Sequence, residues 1–261
     1  MKKLSLLIAS CCLISPPAIG RDDEHLVPED SVFSEYQPRW SKQYYDDYEE
    51  NVLRFFSEAF EKEIFARVVV YPSFSPEYVI AISRDDRDYK LHYLEAGVML
   101  WPFEDLEEAL IKEAEAATEE GRQKAREVIE DLRSYVPESR DKVSVNRCES
   151  ALPPAIGTDL HTLWSEMLFR TRYPDRRPVA IGGEIINTFH LDGTAYHFSF
   201  EYDHTRLTGK TWSPEDDSIN GKFVALTDIL RKGCVERSSD FFKDLENKVE
   251  NLSSDLEMAV Y

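Results

Sequence analysis

The sequence has few cysteines and lacks the short motifs that mark common cofactor and catalytic sites. Its 261 residues include 4 cysteines. No GxGxxG, P-loop, HExxH, GxSxG or CxxC pattern occurs. The usual signatures of dinucleotide binding, P-loop phosphate binding, zinc proteases and α/β-hydrolases are therefore missing, and we expect no cofactor.

Basic residues are also scarce relative to acidic ones. The chain has 31 Lys and Arg against 50 Asp and Glu, which gives a formal net charge of −19. Such a chain repels nucleic acid and anionic lipid headgroups, so neither is an expected partner. The expected partner class is a basic protein, and solubility alone is the alternative explanation of the charge.

Long apolar runs are missing after the N-terminus. No later segment reaches the roughly 18 uninterrupted apolar residues of a membrane span. Residues 1–20 combine two lysines, an apolar run from Leu4 to Ile14, and a small-x-small site that ends at Gly20. This pattern predicts a signal peptide cleaved near Gly20 and a periplasmic or secreted mature chain. The resemblance of residues 8–11 to a lipoprotein box is loose, because a cut there leaves too short an apolar region.

Loss of the predicted signal peptide changes both the charge and the cysteine count. Without Lys2 and Lys3 the basic residues fall from 31 to 29, so the net charge becomes −21. Only Cys148 and Cys234 remain. A lone cysteine pair in an oxidising compartment predicts a disulfide. The alternative, a reactive thiol with a histidine partner, has no local motif to support it.

Hydrophobic periodicity predicts an α+β fold in which hairpins form small antiparallel sheets covered by amphipathic helices. Residues 21–40 are expected to be an extended leader. Residues 41–136 should form a helix, an antiparallel hairpin and a long acidic helix, and residues 137–261 a helix-hairpin-helix unit. The two units form either one domain or two small similar halves.

The stretch INTFHLDGTAYHFSFEY (186–202) contains the strongest hairpin signal, because Asp192-Gly193 favours a two-residue type I′ turn. Side chains alternate along a strand, so Phe189, Tyr196, Phe198 and Phe200 would share an apolar face. The opposite face would carry the histidines and two glutamates. This predicted polar face comprises Glu184, Thr188, His190, His197, Ser199 and Glu201.

The predicted polar face has two chemical interpretations and a structural one. His190 and His197 would be diagonal neighbours, able to bind a divalent metal ion in a hydrolase, and His204 would supply a third nitrogen if the chain turns back. A half-exposed sheet surface is the alternative. Glu184 opposite Glu201 would require nearby cations, which a basic cluster could supply, and the same cluster could instead bind an anion. That cluster is Arg170, Arg172, Arg176 and Arg177.

A charged helix from Phe103 to Tyr135, with a kink or break at Gly121, is the other candidate surface. Its acidic docking residues would be Glu107, Glu108, Glu115 and Glu119. A solvated helix face is the alternative. The function that these features favour is an exported acidic inhibitor or immunity-like protein that binds a basic partner. A metal-dependent hydrolase and a non-catalytic envelope scaffold are the other two hypotheses.

Overall fold

One six-stranded antiparallel sheet organises the chain in the computed structural model. The structure describes residues 24–28, 52–61, 63–100, 109, 112–113, 115–139, 143–173, 180–181, 184–185, 193–235 and 239–259. The predicted signal peptide and most of the predicted leader lie outside these residues. The sheet strands are β1 (Ile64–Pro72), β2 (Tyr78–Asp85), β3 (Asp88–Ala96), β4 (Val145–Leu152), β7 (Thr194–Tyr202) and β8 (Thr205–Trp212). Their order is β4-β3-β2-β1-β7-β8.

The first hairpin forms where the sequence predicts it. β2 and β3 pair antiparallel and close at Asp85 opposite Asp88. Asp86 lies in the turn with φ of 54°, a left-handed conformation that Asp tolerates better than most residues. β1 precedes this hairpin and is rich in β-branched residues, of which Val68, Val69 and Val70 are buried on alternating faces.

Two helices, α2 (Pro154–Phe169) and α3 (Ile219–Val235), contact one face of the sheet, and α4 (Ser239–Met258) packs on both of them. All three follow α1 (Glu119–Ser139) in the chain. Trp164 of α2, Phe223 of α3 and Phe198 of β7 are fully buried and meet in one aromatic cluster. The ring centroids of Phe198 and Phe223 lie 4.4 Å apart. These elements confirm the α+β class.

Local groups account for the starts of two helices. α2 begins at Pro154, because proline suits the first turn of a helix, and Thr158 Oγ1 donates to the Pro154 carbonyl. The acidic helix is interrupted at residues 116–118 instead of at Gly121. Thr118 Oγ1 accepts the Gly121 N–H at 3.1 Å, so Thr118 caps the new helix α1 and Gly121 lies in its first turn.

Among the described residues, the other face of the sheet has a thinner cover. Residues 52–61 form one helical turn followed by a 3-10 helix, Ser57–Phe60. Their apolar side chains pack on Val79, Ala81 and Leu94 from the central strands. Toward β7 and β8, this face becomes polar.

The predicted hairpin at Asp192-Gly193 is wrong, because β7 does not pair with the segment that precedes it. β7 lies between β1 and β8, so both of its edges are occupied. Its tight turn is Asp203-His204, where both residues have positive φ as a type I′ turn requires. Glu184 belongs to a separate two-stranded sheet, in which β6 (Glu184–Ile185) pairs with β5 (Ala180–Ile181), and is not opposite Glu201.

A disulfide joins the two cysteines that remain after the predicted signal peptide. Cys148 of β4 and Cys234 of α3 have Cα atoms 5.7 Å apart, within the usual range for a disulfide. The bond links the edge strand β4 to the helix-covered face. Among the described residues, no helix combines the length and apolar character needed to cross a bilayer.

Candidate functional site

The two faces of β7 carry different chemistry. Phe198 and Phe200 are fully buried beneath the helices. His197, Ser199 and Glu201 alternate with them, and so point to the opposite face, as strand geometry requires. Of the other residues of the predicted polar face, Thr188 and His190 lie outside the described residues. For Glu184 only the strand position is described.

Glu201 is held between two arginines from the neighbouring strands. Its Oε1 atom accepts a hydrogen bond from Arg67 Nη2 at 3.0 Å and one from Arg206 Nε at 2.6 Å. Arg67 comes from β1 and Arg206 from β8, so the three side chains tie three strands together. Glu201 does have the cationic neighbours that the sequence analysis required, but the basic cluster of residues 170–177 does not supply the two described here.

Arg67 is buried although it is charged. Its side chain is 3% exposed, and its guanidinium carbon lies 4.3 Å from the centroid of the Phe60 ring. Nη1 donates to the Ala59 carbonyl at 3.0 Å. A buried charge is costly unless it is paired and hydrogen-bonded, and here Glu201, Ala59 and the ring of Phe60 meet that requirement.

His197 lies near one cationic side chain, Lys210. Its ring packs on Tyr71 with centroids 4.9 Å apart. Burial, and then the nearby charge of Lys210, lower the pKa of His197 to about 3, so its imidazole is neutral near pH 7. The positive charge of Lys210 also disfavours a metal cation at this imidazole.

A cavity of about 150 Å³ opens between this polar row and the 52–61 segment. Both polar and apolar side chains line it. We call it the arginine cavity; its lining residues are Leu53, Phe60, Arg67, Val69, Tyr71, His197, Ser199, Arg206 and Thr208. The described lining residues include two arginines and no carboxylate, and Glu201 binds both arginines.

The basic cluster predicted from the sequence is dispersed where it is described. Arg170 Nη1 donates to the Leu256 carbonyl at 2.8 Å, near the end of α4. The Arg172 N–H donates to the Leu26 carbonyl at 3.1 Å, which attaches the short 24–28 segment. Arg176 and Arg177 lie outside the described residues. Arg170 therefore has a structural role at the end of a helix.

The acidic docking residues predicted near α1 are partly neutralised. Glu119 pairs with Arg122 at 3.0 Å and with Arg126 at 3.4 Å, and Arg126 also pairs with Glu113. Glu115 is exposed, whereas Glu107 and Glu108 lie outside the described residues. Much of the acidic charge described here is thus balanced by neighbouring arginines.

α4 presents a second acidic surface that the sequence analysis did not single out. Within the described chain, its five exposed carboxylates form no ion pair. We call them the α4 acidic surface: Asp240, Asp244, Glu246, Glu250 and Glu257. The buried stripe of α4, which includes Leu245, Val249 and Leu252, turns this surface outward.

Sequence reasoning also missed Arg67 and Arg206. A signal for Arg67 was present, because it is the one charged residue in the apolar strand IFARVVVYP. A charge in such a strand requires a buried partner. The partner itself, 134 residues away in the chain, could not be identified without the β1–β7 pairing.

No metal-binding cluster is found in the part of the chain that the structure describes: no three His, Cys, Asp or Glu side chains there form a group that could hold an ion. No protein-family model matches the chain, and neither a curated protein nor a solved structure is significantly similar to it.

Proposed function

We propose that this chain is an exported, non-catalytic binding protein whose acidic surface engages a basic protein, in the manner of inhibitors and immunity proteins. The observation that carries the proposal is the contrast between α1 and α4. Carboxylates near α1 are paired with Arg122 and Arg126, whereas those of the α4 acidic surface form no described ion pair.

Unpaired exposed carboxylates act at a distance. They contribute to the charge of −21 on the mature chain, and their field attracts a cationic partner before contact. Charge complementarity of this kind mainly raises the association rate. Glu246, Glu250 and Glu257 lie four and seven residues apart, so they follow one side of the helix. That side is the expected contact.

The test is capture of a partner by the tagged mature protein from a periplasmic extract, followed by association kinetics with the purified partner. We expect a basic protein to be captured at about 0.05 M salt. Raising the salt to about 0.5 M shortens the Debye length roughly threefold and should weaken the complex.

Two triple variants of equal charge locate the contact. Glu246→Gln, Glu250→Gln and Glu257→Gln together should slow association by about tenfold. The matched control changes Glu115, Glu120 and Glu127 to Gln, because all three are exposed and lie before or on α1. Equal slowing by both variants would show that net charge, not the α4 surface, governs binding. A partner captured independently of salt would contradict the proposal.

A further inference from the structure

The two outer strands of the six-stranded sheet differ in what covers their edges. At one end, the 24–28 segment lies along the edge of β8, where Val27 and Lys210 exchange backbone hydrogen bonds of 2.9 and 2.8 Å. At the other end, β4 pairs with β3 alone in the part of the chain that the structure describes. An uncovered strand edge is a template for pairing with another strand.

β4 lacks most of the features that normally keep an edge strand from pairing. It is 8 residues long, contains no proline or lysine, and runs in register with β3 without a bulge. Its charged residues are one arginine and one glutamate, so they do not repel a second strand by like charge alone. Half of the strand is exposed, namely Asn146, Arg147, Glu149 and Ala151.

Backbone alternation shows which groups of β4 face away from the sheet. The Ala96 N–H donates to the Glu77 carbonyl beside β2, whereas the Gly97 N–H donates to the Ser144 carbonyl beside β4. Ladder hydrogen bonds of an antiparallel strand alternate in this way between its two neighbours. In the observed register, the N–H and C=O groups that face away from β3 are those of Val145, Arg147, Glu149 and Ala151.

We propose that β4 pairs antiparallel with β4 of a second copy of this chain, with the two-fold axis at Cys148. Arg147 of each copy then lies opposite Glu149 of the other, and Val145 lies opposite Ala151. All four outward residues of each strand are hydrogen-bonded in this register. The interface is self-complementary, as a two-fold dimer requires. Such a dimer does not depend on the acidic binding function.

The charges of β4 select this register over the neighbouring ones. An axis at Arg147 would place the two arginines directly opposite each other, and an axis at Glu149 would do the same with the two glutamates. Like charges directly opposite on paired strands are destabilising, whereas opposite charges stabilise the pair. Of these three registers, the one centred on Cys148 is the one that pairs opposite charges.

Ion pairs within each copy extend the alternation of charge across the axis. Arg147 Nε lies 2.7 Å from Glu58 Oε1, and Glu149 Oε1 lies 3.0 Å from Lys90 Nζ. The side chains of Arg147 and Glu149 are each still 55% exposed. In the dimer the order is Lys90, Glu149, then Arg147 and Glu58 of the other copy, which alternates in sign. β4 is therefore a locally neutral contact in a chain whose negative charge otherwise keeps copies apart.

The test is charge-reversal complementation, measured by analytical ultracentrifugation of the mature chain. We expect the wild type to sediment as a dimer at about 0.1 mM. Arg147→Glu or Glu149→Arg alone places like charges opposite each other twice per dimer, so each should raise the Kd of dimerisation at least about tenfold. An equimolar mixture of the two variants restores both opposite-charge pairs and should form a heterodimer with an affinity close to that of the wild type.

Exposed charges on α1 provide matched controls. Arg122→Glu and Glu120→Arg change the net charge by the same amounts, at side chains that are 43% and 80% exposed, and neither should alter dimerisation. Thermal unfolding checks that every variant is folded. A monomeric wild type, equal weakening by the controls, or folded β4 variants that do not associate when mixed would each overturn the proposal.

A backbone variant tests strand pairing separately from charge. Ala151→Pro removes one outward N–H, and an edge strand tolerates proline where its N–H faces away from the sheet. The folded variant should dimerise at least about tenfold more weakly, because the lost hydrogen bond occurs twice in the dimer. Dimerisation as strong as that of the wild type would show that the copies associate through another surface.

Discussion

The two faces of the six-stranded sheet are built from the same strands yet differ in what they bury. Beneath α2, α3 and α4 the sheet is closed by large apolar side chains such as Trp164 and Phe198. The opposite face is covered, among the described residues, mainly by the 52–61 segment, and it includes the buried Arg67 with its partner Glu201. The difference teaches that one face mainly supplies stability, while the other can hold polar groups in a fixed arrangement.

Removing an aromatic ring from the helix-covered face should have the largest effect. Phe198→Ala should lower the free energy of unfolding by about 3–5 kcal/mol, because Phe198 is fully buried between Trp164 and Phe223. Urea denaturation measures the loss. Phe74→Ala is the control, since Phe74 is 72% exposed and should change stability by less than about 0.5 kcal/mol. Similar losses from both variants would show that Phe198 is not in the core.

Breaking the disulfide should be the next largest perturbation of the same face. Replacing Cys148 and Cys234 together by Ala should cost about 2–4 kcal/mol, because the bond closes a loop between residues 86 positions apart. Denaturant unfolding with and without reductant gives the loss, and the reduced wild type serves as the comparison. Detection of two free thiols in the denatured, unreduced protein would contradict the bond.

The third effect concerns the polar face, and it is the smallest when expressed per pH unit. The pKa of His197 is about 3 in the folded chain and about 6.5 when unfolded. Between these values the unfolded chain binds more protons, so stability should fall as pH drops from about 6.5 toward 3. His197→Gln should reduce this slope by up to about 1.4 kcal/mol per pH unit.

Equilibrium unfolding at several pH values tests the His197 prediction. The difference between wild type and His197→Gln at pH 8 isolates the packing change, because the imidazole is neutral there in both the folded and unfolded states. An unchanged acid slope in the variant would mean that His197 is not held neutral by burial. A steeper slope would reverse the sign of the prediction.

The sequence predicted correctly which side chains of β7 share a face, but it did not predict which strands pair with β7. Side-chain alternation depends only on the strand itself, so Phe198 and His197 separate whichever strands pair with β7. The turn prediction failed because Asp203-His204 closes the hairpin, while the other edge of β7 pairs with β1. That pairing joins residues more than 120 positions apart, and no local pattern encodes it.

The sequence by itself determined the α+β class, the hairpin of β2 and β3, the candidate cysteine pair and the acidic charge, because each depends on local patterns or composition. Only the tertiary structure decided that Arg67 and Arg206 share Glu201 and that a cavity forms beside them. Three strands from distant parts of the chain must first align in register. Contacts among their side chains are therefore a property of the assembled sheet, and no single segment contains them.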